Sequence, residues 1–142
     1  MKIAIINGPN LNLTGKREPQ WYGNTDFDAF LKLAEHKFPQ AKLQYFQSNI
    51  EGEIIDFIQK TGLDPAFSGI ILNAGAYAHT SIAIADAVSA VKTPVIGVHL
   101  SNIYKREAER HIDLLSAACI GNISGFGLSG YELAISYLLE KT

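Results

Sequence analysis

Short apolar runs alternate with segments of helical spacing along the whole chain, and this alternation restricts its fold more than any other feature. Several of the runs are apolar almost throughout, which is typical of parallel strands covered on both faces. The pattern predicts strands at 3–6, 42–47, 69–75, 93–101 and near 117–123. It predicts helices at 26–38, 51–62, 80–91 and 129–141, and a short charged helical piece at 104–111. We therefore expect one α/β domain over residues 1–142, a flavodoxin-like three-layer sandwich. Its five parallel strands should lie in the order 2-1-3-4-5, with helices on both faces.

The composition argues against several kinds of partner. The chain carries a net charge of −2 and has a pI near 6.0, so no basic field favours nucleic acid or an anionic membrane. No apolar run reaches the length of a membrane span or of a signal-peptide core. The single cysteine, Cys119, lies in an apolar run, so we interpret it as a small buried hydrophobic residue. One thiol makes no intramolecular disulfide, and we expect a protein of the reducing cytoplasm.

Polar residues gather where the predicted strands end. Asn10 follows the first strand, Asn73 ends the third with His79 shortly after it, and His99 and Ser101 end the fourth. Ligands of a doubly wound sheet bind beyond the carboxyl ends of its strands, so we expect Asn10 and Asn73 to face one crevice. A single histidine in a buried strand is often a satisfied core residue, but this convergence of polar groups favours a binding site. No carboxylate or cysteine joins the histidines at ligand-like spacing, so no metal site is predicted.

Basic side chains stand near this crevice as well. Arg106 and Arg110 are four residues apart and would share a face of the short helical piece. The loop after the first strand, NGPNLNLTGKREPQWYG, contains Arg17 and Tyr22. A guanidinium beside a phenol favours the phenolate. Moving a phenol pKa from about 10 to about 7 needs roughly 4 kcal/mol, much of which a close Arg in a dry pocket can provide. The loop is therefore predicted to be a lid that carries a base.

Three other interpretations of the motifs fit less well. The segment GFGLSG at 125–130 has the spacing of a dinucleotide-binding fingerprint, but too few residues follow it for a ribose-binding acid, so it predicts a tight strand-to-helix turn. Six residues separate Gly8 from Gly15 where a phosphate loop has four. The first loop also lacks the acidic cluster of a phosphoacceptor domain and the Ser/Thr-rich loop of a flavin-phosphate site.

Five segments together resemble type II 3-dehydroquinate dehydratase. They are NGPNLNLTGKREPQWYG, QSNIEGEIID, ILNAGAYAHTSIAIADA, PVIGVHLSN and the Arg-His pair at 110–111. The similarity runs from residue 3 to about residue 138. It implies a flavodoxin-like fold, no cofactor, and a homododecamer built as a tetramer of trimers. It also implies the third step of the shikimate pathway, in which 3-dehydroquinate loses water to give 3-dehydroshikimate by anti elimination through an enolate.

The resemblance assigns roles to individual positions. It implies that Tyr22 removes the proton next to the ketone and that Arg17 lowers the pKa of Tyr22. It implies that His99 protonates the departing hydroxyl, while Asn10 helps to hold His99 and to stabilise the enolate. The implied substrate-binding positions are Asn73, His79, Asp86, Leu100, Ser101 and Arg110. Asp86 is implied to reach the site of a neighbouring subunit.

The chain departs from the family pattern most clearly two residues before His99. The family usually reads Glu-Val-His there, whereas this chain has Gly97. Residues two apart on a strand point to the same face, so the usual Glu would lie beside the histidine and orient it. We expect its loss to lower turnover or to shift the acidic limb of the pH profile. The alternative hypothesis is a catalytically impaired or silent homologue that binds a small carboxylate. Milder departures include Thr14, in place of a usual Leu.

Overall fold

The computed structural model describes residues 1–16 and 26–141, and in them five parallel strands form one sheet in the order β2-β1-β3-β4-β5. The strands are β1 (Lys2–Asn7), β2 (Lys42–Gln47), β3 (Phe67–Asn73), β4 (Val95–His99) and β5 (Gly121–Ser124). The α-helices are α1 (Phe27–Lys37), α2 (Glu51–Gly62), α3 (Ile82–Ala90) and α4 (Ser129–Glu140). The predicted fold class and strand order are confirmed.

The central strand β1 shows why the chain forms three layers. Its side chains point alternately to the two faces of the sheet, and residues 3–6 are all apolar and fully buried. Ile3 and Ile5 pack into one core with residues of α1 and α4. Ala4 and Ile6 pack into a second core with residues of α2 and α3. A strand buried on both faces needs helices on both sides, which accounts for its unbroken apolar sequence.

Polar side chains set the starts of two helices. The carboxylate of Asp26 accepts a hydrogen bond from the backbone N–H of Ala29 at 2.8 Å, at the N-terminus of α1. The hydroxyl of Ser81 accepts one from the N–H of Ile84 at 2.9 Å, at the N-terminus of α3. Each bond satisfies a donor that has no partner within its own helix. Asp26 and Ser81 are therefore the N-caps of α1 and α3.

The predicted helical piece at 104–111 is wrong. Two separate 3-10 turns, Ile103–Lys105 and Ala108–Arg110, occupy this segment. Within both turns only Ile103 is buried, so the segment has no apolar stripe that could hold an α-helix against the sheet. The inference that Arg106 and Arg110 share an α-helical face therefore fails.

The connection from β5 to α4 is the tight turn that its glycines predict. Gly125 and Gly127 have φ of 96° and 57°, a left-handed region that glycine enters without strain. The turn ends at Ser129, where α4 begins. Within the described residues, no helix has the length and apolar character needed to cross a membrane.

Gly8 joins β1 to β3 where both strands end. Its backbone N–H donates to the carbonyl of Asn73 at 2.7 Å. A Cβ at position 8 would overlap the backbone of Ala74, which cannot turn aside as a side chain can. The close approach of the two chains therefore requires glycine.

We predict that Gly8→Ala destabilises the protein by about 1–3 kcal/mol, the range for overpacking a tight site. The matched control is Gly52→Ala in α2, where a Cβ meets no atom within 4 Å. Alanine favours a helix over glycine by about 0.5–1 kcal/mol, so the control should be neutral or slightly stabilised. Urea unfolding of the two variants measures the difference. Equal stabilities would contradict the steric explanation.

Candidate active site

A cavity of about 600 Å³, including its open mouth, lies beyond the carboxyl ends of β1, β3 and β4. Most of the substrate and catalytic positions predicted from the sequence line it: Asn10, Asn73, His79, His99, Leu100, Ser101 and Arg110. Asp86 does not line it, since this residue is exposed on α3. Arg17 and Tyr22 lie outside the described residues. The sheet thus gathers into one cavity polar side chains that are far apart in sequence.

Asn10 enters the cavity on a sharp turn. Its φ of 67° is left-handed, a conformation that Asn adopts more readily than most residues. The backbone N–H of Asn10 donates to the side-chain carbonyl of Asn49 at 2.9 Å, which ties the turn to the loop after β2. The turn continues into Leu11–Leu13, and the buried hydroxyl of Thr14 donates to the carbonyl of Leu11 at 2.7 Å. Thr14 is therefore accommodated, although it departs from the usual Leu.

The side chain of Asn73 is hydrogen-bonded to a buried phenol, that of Tyr131. Its side-chain amide donates to the hydroxyl of Tyr131 at 2.9 Å, and that hydroxyl donates to Oδ1 of Asn7 at 2.7 Å. Oδ1 of Asn73 accepts from the backbone N–H of Gly75 at 3.2 Å. Asn7, Asn73 and Tyr131 are at most 3% exposed. These bonds fix the orientation of the Asn73 side chain beside the cavity.

The described phenols nearest this network are poor candidates for a base. Burial raises the pKa of Tyr131 well above its ordinary value. Burial likewise raises the pKa of Tyr45 to about 12, against the opposing effect of a hydrogen bond to Asn7. Both therefore remain neutral hydroxyl groups near neutral pH, and Tyr131 serves as a hydrogen-bond donor and acceptor.

His79 and His99 stand face to face in the cavity. Their ring centroids are 5.8 Å apart and the rings are inclined by 23°. Nδ1 of His79 lies 2.7 Å from the carbonyl oxygen of Ile112, which can only accept, so this nitrogen carries the proton and donates it. The ring of His79 thereby anchors the segment that follows Arg110.

His99 pairs with a carboxylate that the sequence analysis missed. Nε2 of His99 lies 2.7 Å from Oδ2 of Asp113, and the two side chains are 10% and 8% exposed. Burial by itself would raise the pKa of Asp113. The hydrogen bond and the charge of His99 oppose this effect, as do hydrogen bonds from the backbone N–H groups of Leu115 and Ser116. Together they outweigh burial, so the pKa of Asp113 is lowered. Asp113 is therefore an anion that accepts a hydrogen bond from Nε2 of the histidine. The missing carboxylate at position 97 was the one sequence signal that could have prompted a search for a different carboxylate beside His99.

The arginines bring positive charge to the mouth of the cavity. Nε of Arg110 donates to Oε1 of Glu107 at 2.7 Å, and Nη1 of Arg106 donates to the hydroxyl of Ser101 at 3.4 Å. The hydrogen bond from Arg110 lowers the pKa of Glu107, whose side chain is exposed. Two guanidinium groups beside two imidazoles suit an anionic ligand.

Comparisons with known proteins identify the family. A family model described as dehydroquinase class II matches residues 1–139. The chain belongs to the class II dehydroquinase family. It is 49% identical to the 3-dehydroquinate dehydratase of Fusobacterium nucleatum, over 99% of this chain and 97% of that protein. It is 50% identical to the one from Clostridium perfringens, over 99% of each chain. The crystal structure of the type II dehydroquinase from Butyrivibrio crossotus superposes with a TM-score of 0.93 at 42% identity, covering 98% of this chain and 97% of that one.

We predict that Tyr131→Phe destabilises this class II dehydroquinase by about 1–3 kcal/mol, because the buried Asn7 and Asn73 side chains each lose a hydrogen-bond partner. The matched control is Tyr137→Phe, since Tyr137 lies on the same helix and is 44% exposed. Urea unfolding compares the two. If both variants match the wild type, the hydroxyl of Tyr131 does not hold the network together.

Proposed function

We propose that this class II dehydroquinase removes water from 3-dehydroquinate to give 3-dehydroshikimate, the third step of the shikimate pathway. The observation that carries the proposal is the cavity in which Asn10, Asn73, His79, His99 and Arg110 meet. It has the polar groups and the positive charge that a small hydroxylated carboxylate needs. The relatives named above are themselves 3-dehydroquinate dehydratases, and they align along almost the whole chain.

The reaction begins with the removal of a proton. Tyr22, as a phenolate favoured by the charge of Arg17, takes the proton from the carbon beside the ketone. The electrons of that C–H bond form an enolate, which Asn10 stabilises. Both Tyr22 and Arg17 belong to the part of the chain that is not described, so their roles come from the family resemblance alone.

The reaction ends at His99. The enolate collapses to the ketone, a carbon–carbon double bond forms, and the neighbouring C–O bond breaks. His99 gives its proton to the departing hydroxyl, which leaves as water. Anti elimination requires the base and the acid to act on opposite faces of the substrate ring. His99, fixed at the end of β4, is proposed to act on one face, and Tyr22 on the other.

The substrate carboxylate is proposed to bind where β4 ends. The backbone N–H groups of Leu100 and Ser101 are fixed donors that need no proton transfer, and Arg110 adds a positive charge. Asn73 and His79 then bind the substrate hydroxyl groups. The buried bonds that orient Asn73 and the bond from His79 to Ile112 support these roles, because both side chains are held before substrate arrives.

We also propose that the chain assembles as a homododecamer, a tetramer of trimers, in the cytoplasm. Exposed apolar side chains along β5 and α4 support association: Ile120, Phe126 and Leu133 are 49–63% exposed. Asp86 is exposed on α3 and outside the cavity of its own chain, which agrees with a contact to a neighbouring subunit. A reduced cysteine, Cys119, suits the cytoplasm.

We predict that the purified protein converts 3-dehydroquinate to a conjugated enone, which an ultraviolet assay follows directly. Tyr22→Phe removes the base and should lower kcat by about 10²–10⁴-fold, the usual contribution of a general base. Tyr137→Phe is the control and should keep wild-type turnover. Absence of enone formation by the wild-type protein would overturn the proposed activity. A fully active Tyr22→Phe variant would overturn only the role of Tyr22.

A further inference from the structure

We infer that Asp113 is the positioning residue of His99, and that it takes the place of the carboxylate that the family carries on β4 at position 97. This inference rests on the proposed function, because it concerns the residue that gives the proton to the leaving group. It explains how a chain with glycine at position 97 retains a carboxylate beside the catalytic imidazole.

The carboxylate of Asp113 is held on both of its oxygens. Oδ1 accepts from the backbone N–H groups of Leu115 and Ser116 at 2.9 and 3.2 Å. Oδ2 accepts from Nε2 of His99 at 2.7 Å. A residue that only capped the turn at 115–116 would need one oxygen, and the second would be free to face solvent. Here the second oxygen points instead at the histidine, with both side chains nearly buried.

The segment that carries Asp113 is tied down on each side of it. The ring of His79 donates to the carbonyl of Ile112 at 2.7 Å. The backbone N–H of Leu114 donates to the carbonyl of Ala78 at 2.8 Å. Two bonds to the 3-10 turn after β3 therefore bracket Asp113 and hold it opposite His99. A carboxylate fixed in this way can hold an imidazole in one orientation.

The bond to Asp113 also determines which ring nitrogen faces the substrate. Since a carboxylate only accepts, Nε2 of His99 must be the protonated nitrogen in the neutral ring. No described residue hydrogen-bonds to Nδ1, which is left as the atom that exchanges a proton with substrate or water. When the ring is doubly protonated, the adjacent anion stabilises its charge. Asp113 therefore fixes the tautomer and the orientation of the His99 ring.

Position 97 is adapted to the absence of a side chain. A Cβ on Gly97 would overlap Oδ1 of Asn122, its neighbour on β5. The side chain of Asn122 would have to turn away from the carbonyl of Ser116, to which it donates at 3.4 Å. A Glu at 97 would also add a second anion next to Asp113, because Gly97, His99 and Asp113 line one small cavity together with Asn122. The two carboxylate positions are thus alternatives.

Other groups near the pair do not compete for this role. Burial, together with the charge of Asp113, raises the pKa of the Cys119 thiol to about 11, so the thiol stays neutral. His79 already donates its Nδ1 proton to a carbonyl. The remaining charged side chains that line the cavity among the described residues are Arg106 and Arg110. Asp113 is therefore the one described anion placed to act on His99.

The first test is Asp113→Asn, measured by the ultraviolet assay over a range of pH. The amide oxygen can still accept from Leu115 and Ser116, so the turn is preserved. Its NH₂ group would face Nε2 and force the ring into the other tautomer. We expect kcat to fall by about 10–100-fold with KM within about threefold, the size of effect seen when the partner of a functional histidine is removed.

A second readout does not depend on activity. Long-range ¹H–¹⁵N spectra distinguish the two tautomers of each of the four histidines, and His99→Gln assigns the signal. We expect a proton on Nε2 in the wild type and on Nδ1 in Asp113→Asn. An unchanged tautomer, or a kcat within threefold of wild type, would overturn the role of Asp113. A wild-type protein that forms no enone would refute the dehydratase proposal, while these spectra still test the pairing.

The last variant moves the carboxylate. The triple substitution Gly97→Glu, Asn122→Ala and Asp113→Asn places an anion at the family position and removes the side chain that would block it. We expect kcat of the triple variant to be at least tenfold higher than kcat of Asp113→Asn. The control Asn122→Ala alone should stay within about twofold of wild type. No recovery in a folded triple variant would refute the equivalence of positions 97 and 113.

Discussion

Parallel pairing of β1, β3 and β4 is the constraint on which the cavity depends. In this arrangement all three strands end at one edge of the sheet, and the register places Asn7 beside Asn73 and Leu72 beside Gly97. Residues that follow the strands are then neighbours in space although dozens of residues separate them in sequence. The apolar strands provide the rigid support, and the loops beyond them provide the chemistry.

Two pairings stabilise buried polar groups at that edge. Tyr131 reaches from α4 to both Asn7 and Asn73, and Asp113 reaches His99 from the loop before β5. An unpaired polar group in such a place is costly, commonly 1–3 kcal/mol. The same pairing that avoids this penalty also orients Asn73 and His99 before substrate binds. Stability and preorganisation therefore have the same structural source.

Gly97 shows how a departure from a family pattern can mislead. By itself, the missing carboxylate suggested an impaired proton donor. The structure places Asp113 against His99, so the feature that favoured a silent homologue no longer does so. Electrostatics depends on the distance between charges rather than on the strand that carries them. A carboxylate from a different loop can therefore fulfil the same requirement.

The sequence by itself determined the fold class, the strand order and most of the cavity, because hydrophobic periodicity and the turn residues after each strand are local signals. It correctly indicated that Asn73 and His99 end strands and that Asn10 and His79 come shortly after strands. The parallel topology then brings these four residues to one edge of the sheet. It failed at 104–111, where charged residues suggested a helix that has no apolar face to hold it. Only the tertiary structure decided that Asp113 meets His99 and that Tyr131 holds Asn73. Those contacts join residues 14 and 58 positions apart, and such a contact exists only after the chain has folded back on itself, which no local pattern records.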